Sequence, residues 1–491
     1  MTKFNTEDYK DIIGIIFLAL SFIMLGYMLI SPYNQMLIHL DEYFTISVLN
    51  FPITDLIYVV SHDVHPPFHY LLLKVVSDIL TFLGLESDKI FIYKIMSIVP
   101  YAIMLILSVT KIKREHGYLT AGLFAFSIAV TSEFLAYYSI MRMYSWGILF
   151  VMLAFIYLKD IIDTNDTKAW VLLTIFSVLA AYTHYFAAIP VVCIYISLFV
   201  YMFINDKEKL KFWFISTICG IILYSPWILS LITQVTGVSK GFWIPAITLK
   251  TFIGFFGYFI APGNDIYISI FSIAVFIALA INSLILPNDI NKTDKFYIFC
   301  GIGVFVGTIL IGTIASIILK PLLLNRYLLP SVAVLWFTIA FMVSKLNDKR
   351  RFMISFALIL ILLVAGIGTT ISSQDYWIDK NMNRNEFFNH LSEDNNTIVI
   401  NDAVNKMFYM EYANCTNMYV VNKTYELYGY NLSELHDTFD FKEISKEDVP
   451  KLIKNNKDKD IYILTKKPDY NKNIKTTTVA KTGSHAILKV K

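Results

Sequence analysis

Residues 11–31, DIIGIIFLALSFIMLGYMLIS, begin on one aspartate and then run for twenty residues without a charge. A helix of that length rises about 30 Å, the thickness of a bilayer's hydrocarbon core. The run is too long for a signal peptide and lacks a small-residue cleavage site. Similar runs recur near 91–110, 117–135, 140–158, 169–184, 187–204, 211–231, 265–286, 296–318, 327–344 and 352–371. With 56% hydrophobic and 16% charged residues over 491 positions, the chain cannot be wrapped around one soluble core. It reads as a polytopic α-helical membrane protein of about eleven transmembrane helices.

Charge sets the expected orientation. If the N-terminus is cytoplasmic, the inner segments include KIKR (111–114), NDKEKLK (205–211), NKTDK (291–295) and KLNDKRR (345–351). Lysine and arginine concentrate in these segments, as the positive-inside rule requires. Residues 66–83, PPFHYLLLKVVSDILTFL, would invert every later basic loop if they crossed the membrane. They are expected instead as an amphipathic helix in the outer interface, with Tyr70, Lys74, Ser77, Asp78 and Thr81 on one stripe and Lys74 paired with Asp78.

Beyond residue 371 the composition turns to Asn, Lys, Asp and Tyr, with β-type runs TIVIN (397–401), MYVV (418–421) and IYILT (461–465). Helical stretches at 403–413 and 447–455 alternate with them. The expected division is a transmembrane domain at 1–371, with a large first outer loop at 32–90, and an extracytoplasmic α/β domain at 372–491. The net charge of +3 is explained by topology, so nucleic acid is not an expected partner. Cys193, Cys219 and Cys300 fall within spans and Cys415 lies in the tail, which gives neither a disulfide framework nor a cysteine metal site.

The same topology brings Asp41, Glu42, His65, Arg142, His184, Lys320 and Arg326 to the outer boundary from widely separated positions. Ionisable groups at membrane depth are costly and mark functional sites, although a single Lys or Arg at a helix end also serves as a snorkelling anchor. Asp41-Glu42 can place a carboxylate beside a hydroxyl, or simply begin a helix. His65-Pro66-Pro67 fixes the chain entering the next helix, where free amides and an imidazole N–H suit a phosphate; its plainer role is a rigid turn.

These segments resemble membrane glycosyltransferases of the GT-C superfold, specifically the glycosyltransferase family 39 and dolichyl-phosphate-mannose protein mannosyltransferase-like group. The resemblance rests on Asp41-Glu42, His65-Pro66-Pro67-Phe68-His69-Tyr70, Arg142-Met143-Tyr144, THYF (183–186) and NRYLLP (325–330), spanning roughly residues 10–345. It implies an inverting transfer of a sugar from a polyprenyl-phosphate donor to a protein, lipid or glycan acceptor. Asp41 would be the general base and Glu42 its support, with His65, Arg142, His184 and Arg326 on the donor phosphate and Pro66, Pro67 and Tyr144 completing the motifs.

Many relatives carry a Glu two positions before the arginine of RMY, where this chain has Ile140; Glu133 is the nearest acid in that turn. One Asp-Glu pair is too small a ligand set to assign a metal, and a divalent cation stays open as a cofactor. The rival reading is a lipid or polysaccharide flippase, against which stand the absence of a recognisable inverted repeat and the gathering of polar residues at one face.

Overall fold

In the computed structural model, the described residues are 6–30, 40–85, 89–240, 244–261, 265–285, 290–391, 396–402, 417–421, 426–427, 430–431, 441–466, 474–482 and 485–491. Among them, nine helices are long and apolar enough to cross a membrane, the first Tyr9–Ile30 and the last Lys349–Tyr376. One of these, Lys89–Val130, holds 42 residues, about twice what one crossing requires. A π-helical turn at Ser108–Ile112 and a non-helical Gly117 at φ 82° divide it into two runs. A β-carbon is strained at that φ, so glycine suits the corner. With that division, and with the shorter apolar helix Thr167–Thr183, the segments follow the eleven expected runs. The chain is a multi-pass membrane protein.

Two glycines set a close helix crossing. A β-carbon on Gly122 would lie 2.1 Å from the carbonyl oxygen of Gly14, and one on Gly14 would lie 2.2 Å from the backbone of Tyr118. Tyr9–Ile30 and the second run of Lys89–Val130 therefore cross backbone to backbone, the small-residue packing that membrane helices use in place of a hydrophobic drive. Asn325–Ser344 is buried almost throughout and Lys207–Gly237 hardly at all, which makes the first central and the second lipid-facing.

The basic loops meet at one end of this helical unit. Lys111 Nζ bonds Glu115 Oε1 at 2.7 Å and Asp160 Oδ2 at 2.5 Å, and Lys209 Nζ donates to the Ile162 carbonyl at 2.9 Å. Lys345 pairs with Asp294 at 2.9 Å, and Lys10 Nζ donates to the Ser344 carbonyl at 2.8 Å. The segments expected to share a side do share it.

Helix Phe68–Phe82 forms where the sequence places it, and Lys74 pairs with Asp78 at 2.9 Å. Its faces differ from the expectation. His69, Tyr70, Leu73, Ser77 and Leu80 are buried, while Val75, Ile79 and Phe82 are exposed. Of the expected stripe, Tyr70 and Ser77 turn into the protein while Asp78 and Thr81 stay exposed beside the apolar side chains.

By internal contacts the chain divides into one unit of Met1–Gln35 with Ile53–Gln374 and a second of Met36–Pro52 with Asp375–Lys491. The second unit contains helix Leu40–Leu49 and a six-stranded sheet. Its strands, together with a separate two-stranded ribbon, are β1 Thr397–Asp402, β2 Met418–Val421, β3 Glu426–Leu427, β4 Tyr430–Asn431, β5 Phe441–Ile444, β6 Asp460–Thr465, β7 Thr476–Thr482 and β8 His485–Val490. The sheet order is β5-β2-β1-β6-β8-β7, and β3 pairs only with β4. Strands β5, β2, β1 and β6 are parallel, and β8 and β7 add as an antiparallel edge.

Helix Val449–Asn455 joins β5 to β6, and Ile398, Ile400, Val421, Ile461, Ile463 and Leu488 pack as the core. Strand β1 is buried at five of its six residues, as a central parallel strand covered on both faces should be. The helix read at 403–413 lies outside the described residues.

Candidate functional site

The helical unit gathers three cationic or imidazole side chains, His65, Arg142 and Arg326, around one histidine. His184 separates Thr167–Thr183 from Tyr185–Asn205, and its extended backbone ends one helix and starts the next. The Phe186 amide donates to His184 Nδ1 at 3.0 Å. That bond fixes the neutral tautomer: Nδ1 accepts, so Nε2 carries the proton. Nε2 is buried without a hydrogen-bond partner. Burial, followed by the charges of His65, Arg142 and Arg326, holds the imidazole well below its ordinary pKa. His184 therefore presents an uncharged N–H donor.

His65 meets it ring to ring and Arg326 reaches it through tyrosines, while Arg142 acts on it by charge. The His65 ring lies 5.4 Å from that of His184, and His65 Nδ1 is 3.4 Å from Asp63 Oδ2. Tyr327 and Tyr144 lie 4.7 and 5.5 Å from His184. Arg326 sits against both phenol rings, its guanidinium carbon 5.8 Å from Tyr144 and 5.6 Å from Tyr327. Each cation–π contact contributes about 0.5–2 kcal/mol, depending on desolvation. Arg142 is buried and donates from Nη1 to Tyr70 Oη at 3.3 Å. Beside this cluster lies an apolar cavity of about 140 Å³, lined by Val64, His65, His184, Phe186, Leu319 and Tyr327, with Gln234 at its side.

Pro66 and Pro67 precede the helix rather than forming its first turn; Pro67 is the N-cap of Phe68–Phe82, and its carbonyl accepts from the Leu71 amide at 3.0 Å. They hold His65 at the mouth of the helix without contributing a donor. Lys320 lines an open groove with Thr248, Phe252, Thr313 and Pro321.

Asp41 and Glu42 occupy the first turn of Leu40–Leu49, where negative charge complements the helix dipole. Glu42 is buried, and the Asp41 carbonyl accepts from Thr45 Oγ1 at 3.2 Å. Both belong to the second unit, whereas the phosphate candidates belong to the first.

The helical unit supplies an acid that the motifs do not single out. Tyr258 Oη donates to Glu133 Oε2 at 2.7 Å. Burial raises the Glu133 pKa, opposed by that hydrogen bond and by the charge of Arg326. The preceding residue, Ser132, has φ 54° and donates its amide to the Ile260 carbonyl at 3.0 Å. A left-handed serine costs about 1 kcal/mol or more and persists where surrounding bonds enforce it. The sequence signal for Glu133 is its place in the outer turn before Arg142; nothing in its spacing identifies Tyr258. Among the described residues no group of three or more His, Cys, Asp or Glu side chains is arranged to hold a metal ion.

No family model matches the chain, and no curated protein does. Among solved structures it is similar to ArnT from Cupriavidus metallidurans in the apo state, at 12% identity over 97% of both chains and a TM-score of 0.45. The same protein bound to undecaprenyl phosphate matches at 11% identity over 97% of both chains, with a TM-score of 0.43. The Archaeoglobus fulgidus oligosaccharyltransferase in complex with zinc and sulfate matches at 13% identity over 92% of this chain and 68% of that one, with a TM-score of 0.46. Likeness at this level is too distant to carry a functional argument, which rests on the side chains of this chain.

Proposed function

We propose that this protein is a GT-C glycosyltransferase of the outer face of a cytoplasmic membrane, taking a sugar from a polyprenyl-phosphate donor. The observation that carries the proposal is the convergence of His65, Arg142 and Arg326 on the neutral donor His184, beside an apolar cavity. A polyprenyl-phosphate sugar needs both parts: donors and positive charge for the phosphate, and an apolar surface for the first carbons of the chain.

In the reaction, the acceptor hydroxyl oxygen attacks the anomeric carbon as the bond from that carbon to the phosphate oxygen breaks. Asp41 takes the hydroxyl proton, and Glu42 supports it. Negative charge gathers on the departing polyprenyl phosphate, where Arg142, Arg326, His65 and the His184 N–H oppose it in a site poor in water. The configuration inverts, and no covalent enzyme intermediate forms. The N-terminus and basic loops lie in the cytoplasm on this reading, and the sheet domain lies outside.

The test uses purified protein in nanodiscs with polyprenyl-phosphate donors carrying labelled sugars. A transferase breaks the sugar–phosphate bond and moves label to an envelope acceptor. A flippase or scaffold leaves every donor intact.

A further inference from the structure

The buried face of helix Phe68–Phe82 carries a second histidine, four residues beyond His65, that the reaction above does not use. His69 and Tyr70 are both completely buried. Three consecutive side chains of this helix meet the segment that presents Arg142. The Phe68 ring lies 6.1 Å from Trp146 and 5.1 Å from Phe150. His69 Nε2 bonds the Met141 carbonyl at 3.3 Å, and Tyr70 Oη accepts from Arg142 Nη1 at 3.3 Å.

The target of the His69 and Tyr70 contacts is a break in the helices. Phe134–Ser139 ends at Ile140, which is extended at φ −89° and ψ 133°, and the next helix starts at Tyr144. Within the break, the Arg142 amide donates to the Ile140 carbonyl at 2.7 Å. A backbone carbonyl outside a helix at membrane depth must find a donor in the protein. His69 is a donor to the Met141 carbonyl.

A carbonyl can only accept, so His69 Nε2 carries the proton and Nδ1 is the bare nitrogen; Nδ1 is buried with no hydrogen-bond partner. Burial first, then the charge of Arg142, depresses the His69 pKa to about 3, so the donor form persists through the physiological range.

We propose that His69 and Tyr70 are positioning residues for Arg142: His69 fixes the backbone one residue before it, and Tyr70 fixes its guanidinium. The proposal rests on the phosphate-binding reading of Arg142 for its functional consequence, but not for the clamp itself. Neither residue touches substrate. A long flexible arginine then meets the phosphate with its rotamer already chosen, and less ordering entropy opposes binding.

Two measurements separate the clamp from the reading. Undecaprenyl phosphate is titrated into the full-length protein in nanodiscs, for the parent, His69→Leu, His69→Gln, Tyr70→Phe, Arg142→Ala and His69→Leu/Arg142→Ala. His69→Leu and Tyr70→Phe should each weaken binding about three- to tenfold, the scale of one lost hydrogen bond. His69→Gln keeps an N–H near the original Nε2 and should restore most of the loss. In the Arg142→Ala background, His69→Leu should add less than about twofold, because its effect runs through the arginine. A full additive loss there would overturn the proposal, since it would mean that His69 acts only on folding.

The second measurement is the rate at which phenylglyoxal modifies Arg142 in unliganded protein, read by peptide mass spectrometry. His69→Leu and Tyr70→Phe should speed modification several-fold, and His69→Gln should leave it near the parent rate. Unchanged rates would remove the clamp. If Arg142→Ala leaves undecaprenyl phosphate affinity intact while these rates still change, the clamp stands and the phosphate assignment of Arg142 fails instead.

Discussion

The hydroxyl of Tyr258 donates to Glu133 Oε2 at 2.7 Å across 125 positions of sequence, tying the turn before Arg142 to the segment after helix Leu249–Gly257. Burial is the largest influence on this carboxyl and raises its pKa, so the folded state holds the proton more firmly than the unfolded chain does. A raised carboxyl contributes stability that is fully present below the unfolded pKa and is lost as pH rises through the folded one. Glu133→Gln cannot lose it. The variant should therefore melt above the parent at pH 8, and with the parent below about pH 4. A scan of thermal unfolding in detergent from pH 4 to 8 decides this; a gap that widens toward acid would show that Arg326 and Tyr258 outweigh burial.

Base and phosphate binder should fail in different ways. Asp41→Asn keeps size and most hydrogen bonding but cannot take a proton, so donor affinity should persist while turnover falls by about 100-fold or more. Arg142→Ala should weaken donor binding and slow turnover together. Near-normal turnover of folded Asp41→Asn would end its assignment as base and turn attention to Glu133.

Orientation can be read directly in cells. In a cysteine-free background, a cysteine at Ser61 should react with an impermeant thiol reagent from outside, and one at Asn347 should not. The opposite pattern would place the His184 cluster in the cytoplasm and exclude a donor displayed on the outer face.

The crossing at Gly14 and Gly122 makes a prediction about folding alone. Gly122→Leu puts atoms where the Gly14 carbonyl already stands and should cost about 1–3 kcal/mol or more, seen as lost monodisperse protein after extraction. Gly26 has nothing within 4 Å of its missing β-carbon, so Gly26→Ala should be neutral or stabilise by up to about 1 kcal/mol through helix propensity. Equal effects at the two sites would discard the close-packing account.

Much of the helical unit was legible because lipid imposes a single strong rule on composition. The runs, the shared side of the basic loops and the Lys74–Asp78 pair all follow from hydropathy, charge and helical spacing. The stripe of Tyr70, Lys74, Ser77, Asp78 and Thr81 is divided in the structure, with Tyr70 and Ser77 buried and Asp78 and Thr81 exposed, a division that helical spacing alone does not encode. His65, Arg142, His184 and Arg326 were visible as charges at helix ends, but their convergence on one imidazole depends on side-chain packing between remote helices. His69 entered the sequence reading only as part of the His65–Tyr70 motif and without a role, because its partner is a backbone carbonyl where a helix breaks. The grouping of residues 36–52 with the sheet domain likewise depends on contacts that local pattern does not encode.

The seat of Arg326 beside the rings of Tyr144 and Tyr327 has a kinetic consequence. A guanidinium held by two rings keeps its place whether the phosphate in front of it still carries a sugar or has just lost one. On the proposed reading, spent carrier therefore occupies the same seat as fresh donor, and the enzyme is subject to product inhibition by free polyprenyl phosphate. The rate at steady state is then governed by how quickly the empty carrier slides back into the bilayer.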